Sequence, residues 1–324
     1  MPRDTAACSM TSPPVQHAVD ASILEPFAYI SETPGKDVRG ALIDAFNAWL
    51  KIPQQKIDAI KSIISRLHNA SLHVDDIEDG SQLRRGKPVA HAIFGVPYTL
   101  NAANYAYFVA LEECHRLGSP EALSVFVEEL LNLHRGQGQD IVWRDTQKVP
   151  TEEEYYSMVL DKTGGLFRLA VGLMAAFSSR DKSEFRELVD QLALYFQIRD
   201  DLVNLKSDEY ALSKSYCEDL TEGKFSYPIL HAIRARPDDT RLLNILKQKT
   251  ENTDVKRHAV EFMESVGSFE KTREALAAIK GDIAAAIAAL GGHDQLVKLV
   301  EKLDAQVAES SKPLPAELRR YDSL

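Results

Sequence analysis

Apolar residues recur at helical spacing along almost the whole chain from about residue 21 onward. Two early stripes repeat every three or four positions, namely Val38, Leu42, Ala45, Phe46 and Trp49, and then Ile57, Ile60, Ile64, Leu67 and His68. This period buries one side of a helix, whereas the alternation that is typical of strands is nearly absent. The sequence therefore predicts one all-α domain of roughly a dozen helices, with its site between helices that face each other across the core.

Bulk composition excludes several classes of protein. The chain has 324 residues with 44% hydrophobic content, and 38 basic against 48 acidic residues give a net charge of −10. A general nucleic-acid binder needs a basic excess, so we expect none. No apolar run approaches the roughly 20 residues of a membrane span, and three scattered cysteines without CxxC favour a reducing, cytoplasmic location. Residues 1–20 lack any period and are predicted to be a disordered tail before a domain at 21–324.

Two aspartate-rich clusters carry the strongest chemical signal. The first, in HVDDIEDGSQLRRG, places Asp75 and Asp79 four residues apart, so that both carboxylates project from one face of a helix. A surface acidic turn is the ordinary alternative, but the preceding residues are too apolar for it. Carboxylates near others of their sign need a cation, and oxygen ligands favour Mg²⁺, which shares itself with substrate phosphates. The cluster predicts Mg²⁺ and a phosphorylated substrate.

The second cluster, in FQIRDDLVNL, repeats this arrangement. Asp200, Asp201 and Asn204 follow an apolar run on another helix. Taken alone, the cluster is equally compatible with a polar helix end. Together with the first cluster it predicts a second metal-binding wall.

Basic residues lie near both clusters, although each is by itself compatible with an ordinary surface position. Adjacent arginines on an irregular segment can each hold a different phosphate through a guanidinium fork. A lone histidine on an apolar face is more often a core residue than a ligand contact. Together, Lys162, Lys214 and Lys224 predict a cationic rim for a diphosphate, with the Thr163 hydroxyl beside the helix-loosening pair Gly164-Gly165. The separate candidates for anion binding are Arg84 and Arg85 after the first cluster, Lys36 and Arg39 at a helix start, and His68 two turns before Asp75.

Taken together, these motifs match a known family. From about Glu25 to His231 the chain resembles the trans-isoprenyl diphosphate synthases, and among them the fungal-type geranylgeranyl diphosphate synthases; the segment RLHNASLHVDDIEDGSQLRRGKPVAHAIFG is the most specific part. The resemblance implies a single-domain orthogonal helical bundle of the isoprenoid synthase type around a central cavity. It also implies condensation of isopentenyl diphosphate with dimethylallyl, geranyl or farnesyl diphosphate, and a homodimer or higher homo-oligomer.

The same resemblance implies a role for each motif residue. Asp75, Asp79 and Asp200 would hold three Mg²⁺ ions, with Asp76 in support, while Asn204 stands where many relatives have aspartate and is counted only among the substrate contacts. The isopentenyl diphosphate site would consist of Lys36, Arg39, His68 and Arg85. The allylic substrate and its diphosphate would contact Arg84, Lys162, Thr163, Gln197, Lys214 and Lys224, of which Thr163 and Gln197 would soften the charge of the allylic cation.

Product length is predicted from the residues below the first aspartate motif. Ala70 and Ser71 are small where farnesyl-producing relatives carry bulky aromatics, so the plug for a C15 product is missing. Tyr107 and Phe108, on the next long helix, are candidates for a deeper floor, although any aromatic in a bundle can be ordinary core. A small gate with a deeper floor predicts a C20 product.

Three other functions share parts of this pattern. A class I terpene cyclase shares the fold and the first motif, but it has no use for a second diphosphate site. A non-catalytic partner subunit would not need intact acidic motifs. The chain also fits the prenyltransferase part of a bifunctional terpene synthase.

Overall fold

This computed structural model describes residues 18–33, 35, 37–206 and 216–309. Within those ranges the chain forms sixteen α-helices, one 3₁₀ helix and one two-stranded hairpin. The all-α prediction is confirmed. The helices outnumber the predicted dozen because several are only five to nine residues long and join the longer ones. Lys36 and Lys214 lie outside the described residues, as does most of the predicted tail.

The first half of the bundle contains the longest helices. Its elements are α1 (Ala18–Ile23), α2 (Glu25–Ser31), α3 (Val38–Leu50), α4 (Gln54–Asp79), β1 (Leu83–Arg84), β2 (Lys87–Pro88), α5 (Ala90–Phe94), α6 (Val96–Arg116), α7 (Pro120–Thr146), α8 (Glu152–Lys162) and α9 (Gly164–Ala175). Helix α1 begins before the predicted domain boundary at residue 21, and Asp20 accepts a hydrogen bond of 3.0 Å from the Tyr105 hydroxyl on α6. The folded part therefore starts earlier than the sequence pattern indicates.

The second half completes the bundle around α10. A 3₁₀ helix (Lys182–Phe185) leads into α10 (Arg186–Lys206), and the described chain continues with α11 (Glu218–Glu222), α12 (Tyr227–Ala235), α13 (Arg241–Gln248), α14 (Thr253–Ser265), α15 (Ser268–Ala289) and α16 (Asp294–Glu309). Helix α10 contacts α8, α9, α11, α12, α15 and α16. Its motif at residues 200–204 is therefore surrounded by packed helices.

Local sequence signals account for the ends of the helices that carry the site. Pro53 precedes α4, and Gly80 ends it in the left-handed region at φ 68°, which only glycine adopts without strain. Helix α8 begins with a reciprocal capping box between Thr151 and Glu154. One buried stripe of isoleucine and leucine holds α4 in the core, so α4 is fixed against its neighbours ahead of Asp75.

A tight hairpin presents the paired arginines. Leu83 pairs with Pro88 and Arg84 with Lys87 in antiparallel register. The two turn residues, Arg85 and Gly86, both have positive φ, at 56° and 78°, as a two-residue type I′ turn requires. This turn makes Arg84 and Arg85 diverge, because one lies on the strand and the other in the turn.

Candidate active site

One large cavity of about 1200 Å³ opens in the middle of the bundle. It is lined from α3, α4, α7, α8 and α10, with further residues from α6, α9, α11 and α16. Among the predicted residues that line it are Arg39, His68, Ser71, Asp75, Arg84, Arg85, Tyr107, Lys162, Thr163, Gln197, Asp200 and Lys224. The structure therefore brings most of the predicted site together at one place.

The first aspartate motif is already neutralised by neighbouring cations. The Arg84 guanidinium donates to Asp76 Oδ1 through both Nη2 and Nε, the latter at 2.9 Å, and lies 3.5 Å from Asp75 Oδ2. Asp76 is buried beneath this contact. Burial would lower the pKa of Arg84, but Asp76 and Asp75 raise it above its ordinary value. Arg84 therefore stays charged and covers the Asp76 side of the motif.

Asp79 lies behind the cavity wall and is not among the residues that line the cavity. Its side chain is only 1% exposed; Oδ1 is 2.8 Å from Arg144 Nη1, and Oδ2 is 2.6 Å from Lys224 Nζ. Burial raises the pKa of Asp79 to about 6, against the opposite effect of Lys224. Lys224 is also 2.7 Å from Glu222 Oε2. Lys224 thus stands between the buried carboxylates and the cavity.

Lys162 ends α8 and reaches the first motif. Its Nζ lies 2.7 Å from Asp140 Oδ2 and 3.6 Å from Asp75 Oδ1. Burial would lower the pKa of Lys162, but Asp140 and Asp75 raise it above its ordinary value. A Cβ at Gly136 on α7 would sit 2.3 Å from the Lys162 backbone nitrogen. The glycine therefore lets the two helices approach closely enough to place this lysine.

Thr163 and Gln197 form a chain of hydrogen bonds that ends at Asp201 in the second aspartate motif. Thr163 Oγ1 donates to Gln197 Oε1 at 2.6 Å, and Gln197 Nε2 donates to Asp201 Oδ1 at 2.8 Å. Asp201 Oδ2 also accepts from the Tyr155 hydroxyl and the Tyr227 amide. Because an ionised carboxylate only accepts, this network orients the Gln197 amide with its oxygen toward Thr163.

The two ends of the second motif face different ways. Asp200 lines the cavity and lies 3.7 Å from Arg199 Nη2. Asn204 is buried, is not among the cavity-lining residues, and its Oδ1 accepts from the Asp219 amide at 3.2 Å. Asn204 therefore faces α11 and not the cavity in which its substrate contact was predicted.

A second cationic group lies on α3, α4 and the hairpin turn. Arg39 Nη1 lies 3.2 Å from His68 Nε2, and Arg85 Nη1 donates to the Thr33 carbonyl at 2.5 Å. Burial, with Arg39 and Arg85 adding to it, lowers the pKa of His68 well below its ordinary value. Since arginine has no acceptor, His68 Nε2 accepts and the neutral ring carries its proton on Nδ1. His68 is therefore a neutral donor beside two guanidinium groups.

The residues predicted to set product length fall in different places. Ser71 lines the cavity, but Ala70 is fully buried away from it. Tyr107 also lines the cavity and its ring lies 5.6 Å from that of His134 on α7. Phe108 is 69% exposed on the outer side of α6, so the prediction that it forms the floor is wrong for a single chain. Tyr107 therefore remains the aromatic candidate for the floor.

Comparison with known proteins agrees with this geometry. Residues 20–263 match the family described as Polyprenyl synthetase. This chain belongs to the polyprenyl synthetase family. Similar proteins include one named geranylgeranyl pyrophosphate synthase in Dictyostelium discoideum, 53% identical over 285 residues that cover 88% of this chain and 94% of that one.

Two further relatives are similar over most of the chain, and one of them carries a different name. A geranylgeranyl pyrophosphate synthase of Aspergillus fumigatus is 53% identical over 290 residues, 89% of this chain and 81% of its own length. A protein of Matsumurasca onukii named terpene synthase is 52% identical over 285 residues, 88% of this chain and 94% of its own length. The predicted family resemblance is therefore confirmed.

Helix α7 supplies site residues of this polyprenyl synthetase that the motif analysis missed. Gln137 Nε2 donates to Asp75 Oδ1 at 3.1 Å, Asp140 pairs with Lys162, and Arg144 pairs with Asp79. The three residues are spaced three and four apart, which places them on one helical face. In the sequence, this polar face within the segment GQGQDIVWRD could have indicated these three residues.

The polyprenyl synthetase site is suited to an ion that is shared with a substrate. Across the described ranges, no group of three His, Cys, Asp or Glu side chains lies close enough to hold a metal alone. Mg²⁺ does not need such a group, since it is usually bound by one or two carboxylates together with water and substrate phosphates. Asp75 and Asp200 reach the cavity and fit that requirement. Asp79 would join them only after Lys224 moves away.

No helix among the residues described here has the length and hydrophobicity needed to span a bilayer.

Proposed function

We propose that this polyprenyl synthetase is a geranylgeranyl diphosphate synthase, which condenses isopentenyl diphosphate head-to-tail with dimethylallyl, geranyl or farnesyl diphosphate. The observation that supports the proposal is that two separate groups of cationic side chains line one cavity, each suited to bind an anion. One combines Asp75 and Asp200 with Lys162 and Arg84, and the other combines Arg39, His68 and Arg85. A condensation needs two diphosphates held side by side, whereas reactions of one diphosphate need only one site.

At the first site, Asp75 and Asp200 would hold Mg²⁺, with Asp79 as a further ligand, and three ions are expected from the family. When bound, Mg²⁺ neutralises diphosphate charge and so favours its departure. Lys162, Arg84 and Lys224 bind the allylic diphosphate oxygens directly. Their charges are held in place by carboxylates before the substrate arrives, so little reorganisation is needed when negative charge develops.

Beside the first site, Thr163 and Gln197 face the carbon of the allylic substrate that becomes cationic. The Gln197 carbonyl, oriented by Asp201, presents partial negative charge to it. Isopentenyl diphosphate is held by Arg39, Arg85 and the Nδ1–H of His68, which places its double bond against that carbon. The new carbon–carbon bond forms, and a proton is lost to the released diphosphate. No side-chain nucleophile takes part.

Product length follows from the depth of the cavity. Ser71 leaves space one helical turn from Asp75, and Tyr107 closes the deeper end. A chain of twenty carbons is the proposed product.

The test is incubation of the purified chain with Mg²⁺, isopentenyl diphosphate and each of the C5, C10 and C15 primers, followed by chain-length analysis. We expect a C20 product from all three. Absence of prenyl transfer with every primer would refute the function and would leave a non-catalytic subunit. A mixture centred on C15 would refute the assignment of product length.

A class I terpene cyclase is the second candidate, because one relative of 52% identity is named terpene synthase. Incubation with geranylgeranyl diphosphate alone separates the two. A hydrocarbon product would identify a cyclase, whereas recovery of the unchanged diphosphate supports the synthase. The same assay on a longer chain would reveal a bifunctional enzyme.

We also propose a cytoplasmic homodimer in which residues 21–324 act as one prenyltransferase domain. Cys114 and Cys217 are buried and unpaired, as expected in a reducing compartment.

Large apolar side chains are exposed on the adjacent helices α6 and α7, namely Leu100, Phe108, Val127 and Leu131. A second copy that covers this face would bury them. Light scattering should give the mass of a dimer, and Phe108→Asp should shift it toward the monomer; a wild-type monomer contradicts the assembly.

A further inference from the structure

Asn204 ends the second aspartate cluster but faces a short helix instead of the cavity. Its side chain is buried, and Oδ1 accepts the Asp219 amide hydrogen across 3.2 Å. Asp219 lies in the first turn of α11, where backbone amides have no partner within the helix. Asn204 therefore satisfies one of these amides from another helix, and so links α10 to the start of α11.

Helix α11 connects this contact to Lys224. The Asp219 carbonyl accepts from the amides of both Gly223 and Lys224 at 3.0 Å. The Asp219 backbone amide thus donates to Asn204, and the Asp219 backbone carbonyl accepts from the amide of Lys224. The helix is bounded by left-handed residues, Cys217 at φ 46° and Gly223 at φ 77°. With only five residues between two such turns, a displacement at its start is carried to its end.

The far end of this connection is the first aspartate motif. Lys224 Nζ lies 2.6 Å from Asp79 Oδ2, and Glu222 of α11 accepts a hydrogen bond of 3.3 Å from Ser81, two residues after Asp79. The two aspartate clusters are therefore joined through α11. The residue that makes this connection on the α10 side is Asn204.

We propose that Asn204 is a positioning residue that sets the place of Lys224 through α11, and that it does not bind metal or substrate. This inference rests on the proposed role of Lys224 as a diphosphate contact. An amide oxygen suits the task because it accepts from the Asp219 amide without adding a third charge next to Asp200 and Asp201. The position therefore requires an acceptor, and an uncharged acceptor suits it best.

The first experiment is a double-mutant cycle on the KM for the allylic diphosphate. Asn204→Leu removes the acceptor at similar size, and we expect it to raise this KM about tenfold, as for one lost buried hydrogen bond. In the Lys224→Met background the same change should have less than a twofold effect, because the residue it acts through is gone. Asn204→Asp, which keeps the acceptor, should recover most of the loss.

The matched control is Asn252→Leu. Asn252 likewise accepts from backbone amides at a helix start, here those of Asp254 and Val255 on α14, on the protein surface. Loss of that cap should lower stability but leave the KM unchanged. An equal, tenfold effect of Asn204→Leu in both the wild-type and the Lys224→Met backgrounds would overturn the proposal, since it would show that Asn204 acts independently of Lys224.

A crystal structure of Asn204→Leu tests the proposal without an activity measurement. We expect Lys224 Nζ beyond ion-pair distance of Asp79; retention of the 2.6 Å contact would overturn the proposal. If the wild-type chain transfers no prenyl group, the proposed function fails while this structural result still stands. Should Asn204→Leu not fold, Asn204→Ala removes the same acceptor without adding an apolar branch and takes its place.

Discussion

Replacing Lys224 with methionine tests the electrostatic account of the site. The Lys224 ammonium lies 2.6 Å from Asp79 Oδ2 and 2.7 Å from Glu222 Oε2, and the two carboxylate side chains are 1% and 5% exposed. Methionine keeps most of the apolar stem and removes the charge. Asp79 then keeps Arg144, and Glu222 keeps a hydrogen bond from Ser81. Two buried carboxylates thereby lose their shared cation.

The magnitude follows from the burial. Removal of one partner from a buried ion pair lowers the free energy of unfolding by about 3 to 5 kcal/mol. Because Asp79 still pairs with Arg144 in the variant, we expect a loss at the lower end of that range. Burial raises the folded-state pKa of Asp79 to about 6, so its ionised form is disfavoured in the fold. Protonation below that pH relieves the unpaired charge. The free energy of unfolding should therefore fall by about 3 kcal/mol at pH 8, and by clearly less at pH 5.

Urea unfolding at both pH values, without metal, measures these differences. The matched control is Lys148→Met, which removes a pair with Glu154 whose side chains are 56% and 40% exposed. Such a surface pair should contribute less than about 1 kcal/mol at either pH. The reasoning is refuted if Lys224→Met destabilises no more than Lys148→Met at pH 8, or if its effect is equal at pH 5 and pH 8.

Three further predictions concern the cavity and the hydrogen bonds that join Thr163, Gln197 and Asp201. Ser71→Phe should shorten the main product toward C15, whereas Ala70→Phe, at a fully buried site outside the cavity, should mainly destabilise the fold; an unchanged C20 product from Ser71→Phe contradicts the gate. Thr163→Val leaves the Gln197 oxygen without its donor and should lower kcat about tenfold with little change in the KM for isopentenyl diphosphate; the reverse pattern would place Thr163 in binding. Burial raises the pKa of Asp201 to about 6, so its contribution to stability is full below about pH 4 and is lost as pH rises through 6. Relative to the wild type, Asp201→Asn should therefore gain about 3 kcal/mol between pH 4 and pH 7, and an equal difference at both pH values contradicts this.

Helical periodicity was sufficient to predict the fold class. Buried stripes such as Ile57, Ile60 and Ile64 appear in the core as expected, because one apolar face of a helix must be covered. Apolar residues recur in the same way on both sides of Thr163, where the structure has two helices, α8 and α9, that meet. Apolar spacing alone does not reveal such a break, since both helices are buried.

Candidate residues were predictable where a charge on an apolar helix needed an explanation. Asp75, Asp200 and Lys162 all line the cavity. Gln137 and Arg144 were missed because single polar residues on a long helix look like surface positions until a neighbouring carboxylate is known. Tyr107 and Phe108 were both predicted to form the floor, but adjacent residues on a helix point in directions about 100° apart, so only one of them faces the cavity.

The sequence by itself determined that this chain is an all-α protein with two acidic clusters and a surplus of cations around them, because spacing and charge are local properties. Only the tertiary structure decided which of these charges meet. Asp79 is enclosed by Arg144 and Lys224, and Asn204 faces Asp219 instead of the cavity. The partners of each group lie up to 145 positions away in the chain, and packing of whole helices, which no local pattern specifies, brings them into contact.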